Sequence, residues 1–433
     1  MKKLFLFILG GGLLLAGCKD DEGPEPPVSS NFTIKIENVS MAKSFFASGS
    51  VPGLLMPDES QEFTFEAGPG AKLSLATMLV QSNDLFFAPG EAGIDLYNGN
   101  TRVTGDVSDQ IDIWDAGTEV NEEPGVGANQ APRQSGPNTG DDENGVVQLV
   151  ANAMDGFTYP DASDLIQVSI EASPMSDTGF KVVVTNVSSS STLATPMAGL
   201  IWVVHTTDGP LFTDGMADAG NGLESIAEDG DATSLTTFLG DDSGLVSPLS
   251  PGVWAVHDNG VNPIFVSGQA DLGEGLEAIA EDGDPSGLAG VLTGKAGVSS
   301  SGVFNTPTGA SAPGPALPGG AYEFSITAND GDYLSFVSMF VQSNDLFFAA
   351  GDGGIPLFSG GNPISGEVST VALYDAGTEV NEFPGAGLNQ VIRQAGPNTG
   401  VDEGGVVANI NTVSDGFSYP AVGDVIRVTI TSN

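Results

Sequence analysis

The sequence predicts an all-β chain built as two antiparallel β-sandwich domains, and three observations predict it. Short stretches alternate apolar and polar residues with period 2, as in FTIKIENV at 32–39 and YEFSITA at 322–328. Clusters of Gly, Pro, Asn and Asp separate these stretches. Long blocks of sequence recur in the same order about 260 residues apart. Period-2 alternation places one face of a strand on a core and leaves the other in water. Turn-rich connections favour antiparallel pairing. A barrel would carry the same pattern.

The first 18 residues read as a bacterial lipoprotein signal. Lys2 and Lys3 precede an apolar run from Leu4 to Leu15, too short for a stable membrane span. LAGC at 15–18 then resembles a lipobox, cut before the cysteine so that Cys18 takes the lipid. An ordinary signal peptide is the alternative. Acyl chains on Cys18 would anchor the protein at about 0.8 kcal/mol per buried methylene. Residues 18–30 continue as an acidic, Pro-rich tether, KDDEGPEPPVSS after the cysteine. Its acidic start resembles a surface-export signal, which implies the outer membrane and exposure at the cell surface.

The repeats define the domains. MLVQSNDLFFAPGEAGIDLY at 78–97 returns as MFVQSNDLFFAAGDGGIPLF at 339–358, and DGFTYPDASDLIQVSI at 155–170 returns as DGFSYPAVGDVIRVTI at 415–430. FTIKIENV at 32–39 and FKVVVTNV at 180–187 open the two copies. The expected domains are therefore 31–173, a short copy, and 178–433. The later one carries a second duplication, with insert repeats at about 194–240 and 247–294. Each insert holds a Trp and a His, Trp202 with His205 and Trp254 with His257, read as a core Trp and an edge His. GLESIAEDGD is the helical hint. The AEDGD ends at 227–231 and 280–284 read as helix end and turn, because they lack EF-hand spacing.

Composition excludes whole classes. The chain has 56 Asp and Glu against 12 Lys and Arg, a net charge of −44 in 433 residues. Such a chain repels nucleic acid. One Cys and two His leave no cysteine-rich zinc site and few histidine-based ones. The surplus of carboxylates points to a saline setting or to a hard cation.

The carboxylates concentrate in two repeated loops. DAGTE places Asp115 and Glu119 around a flexible Gly117, and SNDL supplies Asp84 about 30 residues earlier. The later copy repeats them as Asp345, Asp375 and Glu379. Loops from distant strands can meet at one end of a sandwich. Three carboxylates meeting there repel unless a cation lies between them, and Ca2+ takes six to eight oxygens. The bland alternative is a solvated network in which Asp and Asn cap turns. A second loop, RQ-x-GPNTG-x-DE, offers Arg133, Asn138 and Glu143, and later Arg393, Asn398 and Glu403, as a ligand-contacting loop. Its ordinary role is an Arg that ties the loop down.

SNDL, then WDAGTEVNE, then the Pro- and Asn-rich stretch are similar to the spondin N-terminal domain family of F-spondin and mindin. The resemblance covers most of both copies. It implies an antiparallel sandwich with calcium at one edge and a role in adhesion or ligand binding. It implies Asp84, Asp115 and Glu119 as one set of calcium ligands, with Asp345, Asp375 and Glu379 as the other. The sequence departs from the family in three ways: Glu stands where its motif has a second Asp, Tyr374 replaces the Trp, and the family's cysteines are missing.

No G-x-S-x-G, H-E-x-x-H or P-loop motif occurs, and both histidines lie in the insert. The functional expectation is a non-catalytic, calcium-binding surface lipoprotein that meets an extracellular protein or glycan. A metal- or carboxylate-dependent hydrolase and a structural surface or biofilm component are the alternatives.

Overall fold

The computed structural model describes residues 28–433 except residue 175. The lipobox, Cys18 and most of the tether lie outside the described residues. The first strand, β1 (Ser29–Asn38), starts at the end of the expected tether. Then come β2 (Phe45–Val51), β3 (Ser60–Glu66), β4 (Lys72–Leu79), β5 (Leu85–Pro89), β6 (Gly105–Asp106), β7 (Ile111–Asp115) and β8 (Gln148–Leu149). β9 (Ile166–Ala172), β10 (Gly179–Asn186), β11 (Met197–His205), α1 (Leu223–Asp229) and α2 (Thr233–Asp241) follow. The later half runs β12 (Leu249–Asp258), α3 (Leu276–Asp282), α4 (Ser286–Leu292), β13 (Val298–Phe304), β14 (Ala321–Asn329) and β15 (Asp332–Phe340). It closes with β16 (Leu346–Ala349), β17 (Gly366–Glu367), β18 (Ala372–Asp375), β19 (Ala408–Asn409) and β20 (Ile426–Ser432).

These strands form two antiparallel sandwiches, and no barrel is found among the described residues. In the first, the sheet β3-β10-β9-β6 faces the sheet β8-β7-β5-β4-β11-β2. In the second, β14-β1-β20-β17 faces β19-β18-β16-β15-β12-β13. The alternating residues do what their period requires. Phe63, Phe65, Val168, Ile170, Val182 and Val184 point inward against Leu73, Leu75 and Phe87. β4 is apolar on both faces, because its outer side is covered as well. Leu223, Ile226 and Ala227 of α1, with Leu235 and Leu239 of α2, pack there on Ala76, Phe86 and Trp114. α3 and α4 cover the second sandwich in the same way. The helical hint is thus a third layer.

The expected domain boundaries need correction. FTIKIENV, read as the opening of 31–173, is β1, and β1 pairs with β14 and β20 of the second sandwich. FKVVVTNV, read as the opening of 178–433, is β10, and it pairs with β9 and β3 of the first. The inserts are likewise shared out, one to each sandwich: β11 pairs with β4 and β2, and β12 with β15 and β13. The first sandwich is therefore complete, and the second is closed by the start of the chain. β1 and β10 have nearly the same pattern, so each satisfies the slot of the other.

This exchange makes the chain cross between sandwiches twice, after β1 and after α2. The two crossings lie side by side. Ser44 N and Phe45 N donate to Asp242 O at 3.1 and 3.0 Å, and Gly244 N donates to Phe45 O at 3.0 Å. Lys43 Nζ donates to Asp241 O at 2.6 Å. Asn38, 1% exposed, donates through Nδ2 to Ser247 O and Ala316 O, both at 2.9 Å.

The insert tryptophans stack between the sheets, Trp202 on Phe63 at 5.2 Å and Trp254 on Phe324 at 5.4 Å. The neighbouring strand makes room with glycine: a Cβ at Gly49 would fall 2.7 Å from Trp202 Cζ2, and one at Gly302 would fall 2.7 Å from Trp254 Cζ2. The histidines are not at an edge. His205 is 1% exposed, and its Nε2 lies 2.9 Å from Ser74 Oγ while Nδ1 meets Thr207 O. His257 repeats this with Ser335 Oγ at 2.9 Å and Asp258 O.

Candidate metal centre

The site forms where three connections meet at one end of the larger sheet. SNDL follows β4 as a tight turn. Ser82 Oγ donates to Leu79 O and accepts from Leu85 N, which closes the turn and leaves Asp84 facing inward. Asn83 fixes the next loop by donating to Val120 O at 2.7 Å and accepting from Glu122 N at 3.1 Å. Asp115 ends β7, paired with Leu85 across the sheet. Its Oδ1 accepts from Gly117 N at 2.8 Å and its Oδ2 from Asn121 Nδ2 at 2.9 Å.

The third connection is a strap. Glu143 N donates to Thr118 O at 2.9 Å and Gly145 N to Gly117 O at 2.8 Å. Gly117 has φ +67°, and a Cβ there would fall 2.6 Å from the Val146 backbone. Only glycine lets the strap come this close. The strap delivers Glu143 to the two aspartates.

Oxygens of Asp84, Asp115 and Glu143 lie within 4.8 Å of one another, and so do those of Asp345, Asp375 and Glu403. Asp84 and Asp345 are 0% exposed, while Glu143 and Glu403 sit at the open side. Oδ2 of Asp84 accepts from Thr118 N and Glu119 N at 3.1 Å, and Oδ2 of Asp345 accepts from Thr378 N and Glu379 N at 3.1 Å. Oδ1 of each is buried with no hydrogen-bond partner. No Lys, Arg or His forms an ion pair with either trio among the described residues. Burial pushes the Asp84 carboxyl well above the usual range, and the Asp115 charge adds to it; the amides of Glu119 and Thr118 oppose. Asp345 is raised for the same reasons, with Asp375 in place of Asp115.

This donor set fits a hard divalent cation. It is all oxygen, it is strongly negative, and Asp84 and Asp345 each have one oxygen left to give. Asp84, Asp115 and Glu143 would hold such an ion in the first sandwich, and Asp345, Asp375 and Glu403 in the second.

Glu119 and Glu379 stand outside these trios, against expectation. It is the amide of Glu119, not its carboxylate, that meets Asp84. Its side chain turns to the other side of the loop, where Oε1 accepts from Gly140 N at 2.7 Å; Glu379 does the same with Gly400 N at 2.7 Å. The expected ligand-contacting loop also divides. Glu143 and Glu403 join the trios. Asn138 and Asn398 hold the covering helices, donating to Glu224 Oε1 at 3.1 Å and to Glu277 Oε1 at 2.7 Å. Arg133 and Arg393 tie the loop to itself: Arg133 donates to Gly127 O, Gln81 and Gln130, and Arg393 to Gly385 O and Gln390.

Sequence reasoning missed two further parts. Tyr159 and Tyr419 donate their hydroxyls to Asp155 and Asp415 beside the trios. The signal was present as the repeated DGF-x-YP. Glu228 and Glu281, inside the AEDGD ends, face inward at 2% and 1% exposure. Burial pushes both carboxyls up to about 7.

These raised carboxyls set a pH dependence. A carboxyl held above its ordinary value keeps its proton in the folded chain after the unfolded chain has lost it. The folded state then binds more protons, and stability falls as pH rises through that window. For Glu228 and Glu281 the window runs from 4.5 to about 7. In chelator, the urea midpoint is therefore expected to fall as pH rises across that window. A flat or rising midpoint would contradict the buried, unneutralised acids.

No family model matches the chain, and no curated protein matches it.

Proposed function

We propose that this chain is a non-catalytic, calcium-binding surface lipoprotein whose two spondin-like sandwiches act in adhesion or extracellular ligand capture. The observation that carries the reading is the buried, half-satisfied aspartate of each trio, Asp84 and Asp345, whose Oδ1 lacks a partner beside two more carboxylates. Such a group is costly without a cation. The lipobox at 15–18 and the charge of −44 support a place outside the cell, anchored in the outer membrane through Cys18. The same charge disfavours nucleic acid.

A Ser–His hydrolase, distinct from the metal- or carboxylate-dependent alternative, would look to Ser74–His205 and Ser335–His257. Ser74 is 3% and His205 1% exposed, and the outer histidine nitrogen meets a carbonyl oxygen, not a carboxylate. Burial also lowers the pKa of both histidines. These features suit a packed hydrogen bond in the sheet.

The test presents the full chain to glycan arrays and matrix-protein panels with calcium and with chelator. Binding in calcium is expected, with loss in chelator and in the Asp115→Ala/Asp375→Ala double variant. Binding that chelator leaves intact would refute the calcium-dependent reading. Silence of a folded, calcium-loaded protein on both panels would favour a structural role at the surface.

A further inference from the structure

The helix above the second trio carries further unsatisfied oxygens, and in the first sandwich the loop facing the helix does so. Glu228 of α1 and Glu281 of α3 are each buried against the DAGTE loop. Both carboxylate oxygens of Glu281 are buried and have no hydrogen-bond partner. On the facing loop of the first sandwich, Glu119 Oε2, Thr118 Oγ1 and Thr139 Oγ1 are buried without partners too. The Thr118 hydroxyl reaches toward Glu228 and favours its charged form, while the Glu119 charge opposes it; Thr378 and Glu379 stand in the same relation to Glu281.

The helix is fastened to this loop at two points in each sandwich. Gln134 Nε2 donates to Asp229 Oδ1 at 2.7 Å, beside the Asn138–Glu224 bond. Gln394 Nε2 donates to Asp282 Oδ1 at 2.7 Å, beside the Asn398–Glu277 bond. The loop leaves no slack around Glu119, since a Cβ at Gly140 would fall 2.2 Å from its Oε2. These fastenings bring the buried helix glutamate, which lies between the two tied helix residues in sequence, to the loop that carries Glu119 or Glu379. No Lys or Arg among the described residues forms an ion pair with any of these glutamates. One shared proton would join the carboxylates but leave most of these lone pairs unused. In the second sandwich Glu379 Oε1 and Oε2 already accept from Gly400 N at 2.7 Å and Asn344 Nδ2 at 3.3 Å, so the free lone pairs there are those of Glu281. A cation would use the remaining lone pairs, and an all-oxygen set selects a hard one.

We propose that Glu119, Glu228 and the Thr118 hydroxyl form a second site for a hard divalent cation in the first sandwich, with Glu379, Glu281 and Thr378 as its counterpart in the second. It lies next to the aspartate trio, because Thr378 Oγ1 is 3.5 Å from Asp345 Oδ2. The insert helix supplies one ligand, so the cation clamps the helical layer onto the sandwich. This gives the insert a role that the trio alone does not.

Calcium binding to the full chain, measured by equilibrium dialysis and calorimetry, tests it with two double variants. Glu228→Gln/Glu281→Gln is expected to lose about half of the calcium bound, and Asp84→Asn/Asp345→Asn the other half. Calcium binding by the folded glutamine variant equal to that of the parent chain would overturn the proposal and leave the trio reading standing. An undiminished aspartate variant would overturn the trio reading instead. Should the glutamine variant fail to fold, Thr118→Val/Thr378→Val takes its place. It is expected to weaken half of the calcium sites about tenfold, and unchanged affinity would overturn the proposal.

Discussion

Asp345→Asn is expected to stabilise the protein in chelator and to destabilise it in calcium, relative to the parent chain. In chelator the substitution removes a buried acid whose charged form burial and the neighbouring Asp375 disfavour. The new amide can donate to a carboxylate, a gain on the order of 1–2 kcal/mol. In calcium the parent chain gains binding free energy that the variant forgoes. At a hundredfold excess over Kd, one site contributes about 2.7 kcal/mol. For a domain of this size that moves Tm by roughly 5–10 °C. The crossing of the two effects separates a metal site from a turn network. If Asp345 only capped turns, Asn would cost little in either buffer and calcium would shift both proteins equally. Scanning calorimetry with and without calcium reads the result directly.

Deleting β1 is expected to unfold the second sandwich and spare the first. Phe32, Ile34 and Ile36 are all 0% exposed and lie in the core formed by Tyr322, Phe336, Val428 and Ile430. Each such side chain contributes about 1.5–3 kcal/mol by burial. The strand is also central, hydrogen-bonded on both edges to β14 and β20. The combined loss approaches the whole stability of a typical domain, about 5–15 kcal/mol. A chain beginning at residue 39 should keep one cooperative transition where the parent has both, and proteolysis should cut first beyond residue 249. Ile34→Asp should act in the same direction with the chain otherwise complete. Survival of both transitions after deletion would refute the observed pairing, and would restore the tandem division of the chain.

Much of the fold could be read from alternation. β1, β3, β9, β10, β14 and β20 carry the period-2 pattern, and their apolar residues face the cores. The pattern assigns a face but not a partner. FTIKIENV and FKVVVTNV suit the same slot, so sequence order suggested the wrong sandwich for each. The site was legible in part. Asp84 and Asp115 were visible because both sit in short motifs at strand ends. Glu119 was expected beside Asp84 and Asp115 because four residues across a glycine look convergent, whereas its amide, not its carboxylate, takes that inward position. Glu143 arrives by a strap whose anchoring bonds, to Thr118 O and Gly117 O, have no local signature. Glu228 looked like a helix end because its burial comes from the loop laid over it, not from the apolar stripe of the helix.

The exchange of β1 also sets an order of events during synthesis. β1 is made first, yet both of its neighbours, β14 and β20, come from the last third of the chain. The first sandwich has all its strands once β11 and its helices are made, but the second cannot close until β20 is made. Until then β1 presents two bare strand edges with Phe and Ile on one face, the kind of segment that invites pairing with other chains. Contacts of such long sequence separation also close slowly. The same strand pairing that unites the finished protein therefore makes β1 a part in need of protection while the chain is being made.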